Sequence, residues 1–317
     1  MASPSVRLEH DLLGNKEVPA GAYYGVQTLR ALENFRISGV PLCHYPELVE
    51  ALAMIKMAAA QANFECRQFN HQILAGIEGA CQELIDGKLH EQFQIDMFQG
   101  GAGTSTNMNA NEVIANRALE LMGKSKGAYE YCSPHDHVNG SQSTNDAYPS
   151  ALHIALALGN RKLVAELRLL ARSLRRKGTE FSHIVKMGRT QLQDAVPMTL
   201  GQEFAAFATT LREDVQRAGE TARLMLEVNL GGTAIGTGIA RISRPTASTR
   251  CSAPGSPIAR CWAMPWPAPP RSGAWITRTN TARSSNRPCR PGGPVPTCRV
   301  AFRGLVRRSR SSSFRTQ

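Results

Sequence analysis

Two apolar stripes with helical spacing constrain the fold of this chain more than any other feature. The first consists of Leu163, Leu167, Leu170 and Leu174. The second runs through Leu200, Phe204, Phe207, Leu211, Val215, Ala218, Ala222 and Met225. Steps of three and four residues put these side chains on one face of a helix. The pattern therefore predicts one helix from about Thr144 to Phe181 and another from about Thr199 to Leu230.

A helix of the first length would span roughly 55 Å at 1.5 Å per residue. It needs packing partners along its whole length, which predicts a long helical bundle and oligomerisation. Good helix formers predict three shorter helices upstream. These are Pro46–Cys66, Ile73–Ile85 before Gly87, and Thr106–Met122 before Gly123.

The predicted fold class is all-α, with three regions. Residues 1–140 would form a small N-terminal helical domain, and residues 141–239 the first two long helices of an incomplete central bundle. Residues 240–317 form a tail of different composition, with 15 Arg, 11 Pro, 11 Ser and no Lys, Asp or Glu. The formal charge of +12 therefore divides into −3 before residue 240 and +15 after it.

The tail shows neither helical nor alternating periodicity, which predicts disorder. The switch in composition occurs within a residue or two of Ile239 and is typical of a GC-rich gene read out of frame. A frameshift is thus the favoured interpretation, and a natural disordered tail is the alternative.

Composition also limits location and ligands. No apolar run approaches the ~18 to 20 residues that a bilayer requires, and the first 13 residues have no hydrophobic signal-peptide core. The eight cysteines form no Cys-x-x-Cys pair, so a cytoplasmic protein with reduced thiols is expected. His135 and His137 alone are too few for a metal site, and no metal is expected.

Three polar clusters precede or begin predicted helices: residues 100–109, 141–146 and 188–194. Each is rich in Gly, Ser, Thr, Asn or Gln. One such cluster alone is usually only a helix cap, and Gly101-x-Gly103 is too short for a dinucleotide fingerprint. Three clusters of neutral donors at helix ends could converge on a small anion such as a carboxylate.

The clusters together resemble the signature regions of the aspartase/fumarase superfamily. The matching strings are GAGTSTNMNANEV from Gly101, SQSTNDAYP from Ser141 and GRTQLQDAVPMTLGQEF from Gly188. The stretch from Asp11 to Thr28 also resembles this superfamily, and the resemblance covers about residues 6–239. Within it, Gln191, Thr144 and Ala147-Tyr148-Pro149 resemble aspartate ammonia-lyases more than class II fumarases, which usually have His and Ser at the first two positions.

The resemblance implies a fold of three helical domains, in which four subunits pool their bundles and each active site draws on three subunits. It implies reversible elimination of ammonia from L-aspartate to give fumarate, without an organic cofactor. Thr104, Ser143 and Thr144 would bind carboxylate oxygens, Asn145 and Thr190 would complete the pocket, and Gln191 would lie near the substrate ammonium. The implied partners are a small dicarboxylate and identical subunits, with no membrane.

One family feature is missing from the sequence. The family's mobile Gly-Ser-Ser-x-Met-Pro-x-Lys-x-Asn-Pro loop carries the serine base, and residues 240–317 contain no such string. The chain as written is therefore expected to be incomplete and inactive. The alternatives are a class II fumarase, a non-catalytic subunit that joins an intact paralogue, and, least favoured, nucleic-acid binding through the arginine-rich tail.

Overall fold

The structure is a computed structural model that describes residues 5–101 and 103–238. Its longer regular elements are six α-helices and two short β-hairpins. The helices are α1 (Val26–Asn34), α2 (Pro46–Glu65), α3 (His71–Ile85), α4 (Thr104–Leu121), α5 (Thr144–Glu180) and α6 (Leu200–Leu224). The strands are β1 (Val6–Asp11), β2 (Gly14–Pro19), β3 (Val185–Thr190) and β4 (Gln193–Thr199).

The all-α fold class is confirmed, and most helix boundaries agree with the sequence prediction. Helix α2 begins at Pro46, where a missing N–H costs nothing because the first helical N–H groups have no partner within the helix. Helix α3 is followed by Gly87 at φ +85°, and α4 by Gly123 at φ +72°. These glycines adopt the left-handed conformation that ends a helix. The predicted disordered tail and frameshift lie outside the described residues.

The hydrophobic core lies among α2, α3, α4 and the first third of α5. Its fully buried apolar residues include Leu52, Ile77 and Ile114, with Ala147 and Ala151 supplied by α5. Helix α2 therefore packs against both α3 and α5. The predicted division at residue 140 stays a prediction, although α5 does contribute side chains to this core.

Beyond Ala157, α5 and α6 form an antiparallel pair that we call the helical arm (residues 158–224). Among the residues of the two helices in this arm, only Gly178, Gly201 and Ala208 are buried. Gly178 and Gly201 let the two backbones approach closely, because a Cβ on Gly201 would collide with the Gly178 carbonyl oxygen. On the predicted α5 stripe, Leu163 and Leu170 are 54% and 49% exposed, so the apolar surface is wider than one helix partner covers.

Two features differ from the sequence prediction. Residues 185–199, between the two predicted long helices, form the antiparallel β3–β4 hairpin, which the apolar pattern does not predict, with a two-residue turn at Gln191-Leu192. Helix α6 ends at Leu224 rather than Leu230. The chain turns there because the residues after Leu226 hydrogen-bond to the start of α5 instead of continuing the helix.

Candidate functional site

The first two polar clusters meet in space at the N-termini of α4 and α5. Asn107, one turn into α4, donates from Nδ2 to the Thr144 hydroxyl at 3.2 Å. Thr104 begins α4 and is exposed, while Ser143 and Thr144 at the start of α5 are half-buried. We call Thr104, Ser143, Thr144 and Asn145 the donor cluster. Its position favours anions because each helix N-terminus carries a partial positive charge.

A close contact sets the distance between the two helix starts. Gly103 precedes Thr104 at φ +82°, and a Cβ there would lie 2.5 Å from the Tyr148 ring. The ring can rest on the backbone only because Gly103 has no side chain. Burial also raises the pKa of the Tyr148 phenol, which therefore stays neutral.

The start of α5 is capped in the way that the Ser143-to-Asp146 spacing predicts. The Ser143 Oγ accepts from the Asn145 N–H at 3.2 Å, and the Ser143 N–H donates to Asp146 Oδ1 at 2.9 Å. This reciprocal arrangement is a capping box. The cap occupies part of the hydrogen-bonding capacity of Ser143, so its hydroxyl proton is the group left for a ligand.

The segment that follows α6 covers this helix start. The second oxygen of Asp146 accepts from the Gly231 and Thr233 N–H groups at 3.0 and 2.8 Å. Because Pro149 has no N–H, the Asn145 carbonyl lacks its helical partner and instead accepts from Asn229 Nδ2 at 3.1 Å. Residues 229–233 thus shape one side of the donor cluster, although no sequence motif singled them out.

Two buried polar atoms close to the cluster have no hydrogen-bond partner within the described part of the chain. They are Asn107 Oδ1 and Ser141 Oγ. Ser141 also has φ +60°, an uncommon conformation for a residue with a side chain. Unsatisfied buried polar groups and local strain are typical of functional sites.

The third polar cluster lies elsewhere. Thr190 and Gln191 are exposed at the tip of the β3–β4 hairpin, which follows the C-terminal end of α5. A 37-residue helix separates that end from Thr144, which corresponds to roughly 55 Å. The third cluster thus precedes α6 as expected but lies in a hairpin, and Thr190 and Gln191 do not approach the donor cluster of their own chain.

The His135-Asp136-His137 segment forms a short π-helical turn, Pro134–Val138. The Ser133 N–H donates to His137 Nδ1 at 2.8 Å, and burial lowers the pKa of His137. His135 Nε2 lies 2.7 Å from the Gln27 side-chain nitrogen. Across residues 5–101 and 103–238, no three His, Cys, Asp or Glu side chains are grouped so as to hold a metal ion.

No helix within the described ranges has the length and apolar character needed to cross a bilayer. The four cysteines of these ranges form no disulfide with one another.

Comparisons with known proteins place the chain in a family. The family model described as Lyase matches residues 14–250. Aspartate ammonia-lyase from Pseudomonas fluorescens is 63% identical over 239 residues, which are 75% of this chain and 50% of that protein.

Two solved structures are also similar. The crystal structure of fumarate lyase:delta crystallin from Brucella melitensis bound to cobalt is 58% identical, with a TM-score of 0.71, over 74% of this chain and 51% of that one. A recombinant class II fumarase from Schistosoma mansoni is 36% identical, with a TM-score of 0.67, over 74% and 50% of the two chains.

The chain thus spans about half the length of the curated relatives that it matches. Over that half, both the sequence and the helical fold are similar to those of the relatives. The chain belongs to the lyase family of the aspartase/fumarase superfamily, and it is similar to about half of an aspartate ammonia-lyase.

Proposed function

We propose that this chain carries the carboxylate-binding donors of an aspartate ammonia-lyase, which removes ammonia reversibly from L-aspartate to give fumarate. The observation that carries the proposal is the hydrogen bond between Asn107 and Thr144. It brings Thr104 of α4 and Ser143 and Thr144 of α5 to one place.

The chemistry suits neutral donors. Removal of a proton from the carbon next to the β-carboxylate builds negative charge on that carboxylate, and the electron pair then forms the C=C bond as the C–N bond breaks. Fixed hydroxyl and amide dipoles stabilise the developing charge without reorganising. Thr104, Ser143 and Thr144 would bind the carboxylate oxygens, and Asn145 would complete that side of the pocket.

Thr190 and Gln191 would complete the pocket of a different subunit. The length of α5 keeps them roughly 55 Å from the donor cluster of their own chain. An assembly of antiparallel arms could bring the hairpin of one copy to the donor cluster of another. This supports a homotetramer with shared active sites, in which Gln191 lies near the substrate ammonium.

The chain by itself is proposed to bind the dicarboxylate without turning it over. Residues 240–317 contain no Gly-Ser-Ser-x-Met-Pro string and no lysine, so the serine base and the lysine of the family loop are not supplied by this sequence. Loss of a general base typically costs ~10² to 10⁴-fold in rate.

The absence of a disulfide among the described cysteines supports a cytoplasmic location.

A direct assay tests this proposal. The purified full chain is incubated with L-aspartate, and fumarate is followed by its ultraviolet absorbance. We expect no fumarate above the buffer control, together with weak binding of succinate, an unreactive dicarboxylate. Ammonia-lyase turnover by this polypeptide would contradict the proposed lack of a base, and absence of binding would contradict the donor cluster.

A class II fumarase is the second candidate, favoured by the similarity to the Schistosoma mansoni fumarase structure. Binding of L-malate in preference to L-aspartate would select it. A non-catalytic subunit is the third candidate, since apolar residues such as Leu163 and Phe207 are about half exposed on the helical arm. Co-purification with an intact paralogue would support that role.

A further inference from the structure

Lys56 is the one lysine or arginine that is buried in the described part of the chain. It lies on α2 with none of its surface exposed. Its ammonium donates to two neutral amide oxygens, Asn139 Oδ1 at 2.9 Å and Gln142 Oε1 at 3.0 Å. A buried ammonium without a bonded carboxylate is costly, and a residue such as methionine would fill the space without that cost.

The partners of Lys56 lead directly to the donor cluster. Asn139 Oδ1 also accepts from Asn107 Nδ2 at 3.0 Å, and the same Asn107 nitrogen donates to the Thr144 hydroxyl. Two residues, Asn139 and Asn107, therefore connect the buried Lys56 ammonium by hydrogen bonds to Thr144, which is proposed to bind the substrate carboxylate. Because Asn107 lies one turn beyond Thr104, the chain of hydrogen bonds joins both helix starts.

Helix α2 holds the intervening loop at a second point. Asn63 Nδ2 donates to the Gly140 carbonyl at 2.8 Å, while Gln142 donates to the Val138 carbonyl at 2.9 Å. These bonds maintain Ser141 in its left-handed conformation, with its hydroxyl buried and without a hydrogen-bond partner among the described residues. Hydrogen bonds from α2 thus hold the loop that precedes Ser143 and Thr144 in place.

We propose that Lys56 is the positioning residue of the donor cluster: it fixes Asn139 and Gln142, aligns the Thr144 hydroxyl through Asn107, and places a positive charge behind a bound dicarboxylate. This inference rests on the proposed function, since it assumes that a dicarboxylate binds at the donor cluster. Lys56 itself does not touch the ligand.

The proposal predicts that binding of a dicarboxylate is coupled to proton uptake by Lys56. Burial lowers the pKa of Lys56 to about 7, and the charge of Asp146 opposes that shift only in part. A dianion bound nearby would favour the ammonium form, so binding above neutral pH would take up a proton. Helix α4 presents the uncharged Asn107, and the titratable groups whose charge acts on Lys56 are Asp146 on α5 and Cys81 on α3. Helix α2 also packs against the π-helical turn, which carries His135, Asp136 and His137.

The test compares the full-length wild-type chain with Lys56→Met and Lys88→Met. Lys88→Met is the matched control because it makes the same substitution at an exposed site. The Lys88 side chain is 63% exposed, and its ammonium forms a long ion pair with Glu83 at 3.8 Å. Calorimetric titration with succinate, in two buffers of different ionisation enthalpy at mildly alkaline pH, gives the affinity and the protons taken up. We expect Lys56→Met to bind about tenfold or more weakly, as for a lost charged hydrogen bond, and without proton uptake. Lys88→Met should match wild type in both.

Hydrogen–deuterium exchange of the ligand-free chains provides a readout that does not depend on binding. Peptides over 104–108 and 139–145 should exchange faster in Lys56→Met than in Lys88→Met, with α3 unchanged. If wild type binds no succinate, the proposed function fails and the exchange data alone decide the positioning role. Equal affinity, equal proton uptake and equal exchange in Lys56→Met would overturn the inference.

If Lys56→Met does not fold, Asn139→Ala replaces it. This variant keeps the lysine but removes the oxygen shared by Lys56 and Asn107. We expect weaker succinate binding, with proton uptake retained, because the charge remains in place. Wild-type affinity in this variant would overturn the role of Asn139 as the link.

Discussion

Asp146 shows which part of the site can be predicted from individual residues. The spacing of Ser143 and Asp146 predicts a local cap, and the capping box is present. The bonds from Gly231 and Thr233 to the same carboxylate join residues more than 80 positions apart. Local patterns carry no information about such partners. Lys56 was missed for the same reason, because within the sequence it is one polar residue in an apolar helix.

At the residue scale, Lys56 predicts a pH dependence of stability. Its pKa is about 7 in the folded chain and near the ordinary lysine value of 10.5 when unfolded. Between these values the unfolded chain binds more protons, so the free energy of unfolding should rise with pH, by up to about 1.4 kcal/mol per unit. Below pH 7 the penalty for burying the charge is fully present.

Urea unfolding at pH 6 and pH 9 measures this effect in wild type and Lys56→Met. From pH 6 to pH 9, the free energy of unfolding should increase by about 2 kcal/mol more in the wild-type chain than in the variant. This is less than the full slope would give, because the slope is reached only above pH 7. The comparison cancels other titrating groups because both chains share them. An identical pH dependence in both chains would show that Lys56 keeps an ordinary pKa.

Gly103 gives a second residue-scale prediction. Alanine there meets both the left-handed backbone at φ +82° and the Tyr148 ring. Gly123 at the other end of α4 has φ +72° and open space around it. Gly123→Ala should cost about 1 kcal/mol, and Gly103→Ala about 2 kcal/mol more because the ring must move. Thermal unfolding measures both variants, and equal losses would mean that Tyr148 does not rest on Gly103.

At the scale of elements, helices were predicted well and hairpins were not. The start of α5 at Thr144 and its end near Phe181 follow from apolar periodicity and a cap. The β3–β4 hairpin has mostly exposed residues and turns at Gln191-Leu192. It therefore shows neither a buried alternating face nor the Asn-Gly or Asp-Gly turn that signals a hairpin.

The helical arm predicts opposite effects for two glycine substitutions on α6. Gly201→Ala should destabilise the arm, because its Cβ would collide with the Gly178 carbonyl. Gly219→Ala should stabilise it by about 0.5 to 1 kcal/mol, since nothing lies near and alanine favours helix. Helix content on heating, followed by circular dichroism, compares them. A stabilising Gly201→Ala would mean that the two helices do not cross at these glycines.

At the scale of the whole molecule, a well-packed core of four helices supports an arm whose apolar stripes are partly exposed. The family resemblance accounts for that exposure if other subunits cover it. The proposed sharing of active sites between subunits would also explain the separation of Thr190 and Gln191 from Thr144. The position of the first two clusters was predictable, since each begins a helix, whereas their meeting depended on tertiary packing.

The abrupt change in composition near Ile239 predicts a frameshift at that point in the gene. Sequencing across codons 235–245 and translating the downstream DNA in all three frames is the test. Another frame should continue the long helices and encode a Gly-Ser-Ser-x-Met-Pro string. If no frame does, the basic segment belongs to the protein, and the frameshift interpretation is wrong.

A succinate titration of the isotope-labelled full chain, followed by amide chemical shifts, tests most directly whether the donor cluster binds a carboxylate. We expect saturable shifts in residues 103–107 and 141–146, at the starts of α4 and α5. We expect none at Thr190 or Gln191 when the chain is monomeric. Absence of shifts at both helix starts, or shifts confined to other regions, would contradict a carboxylate site at the donor cluster.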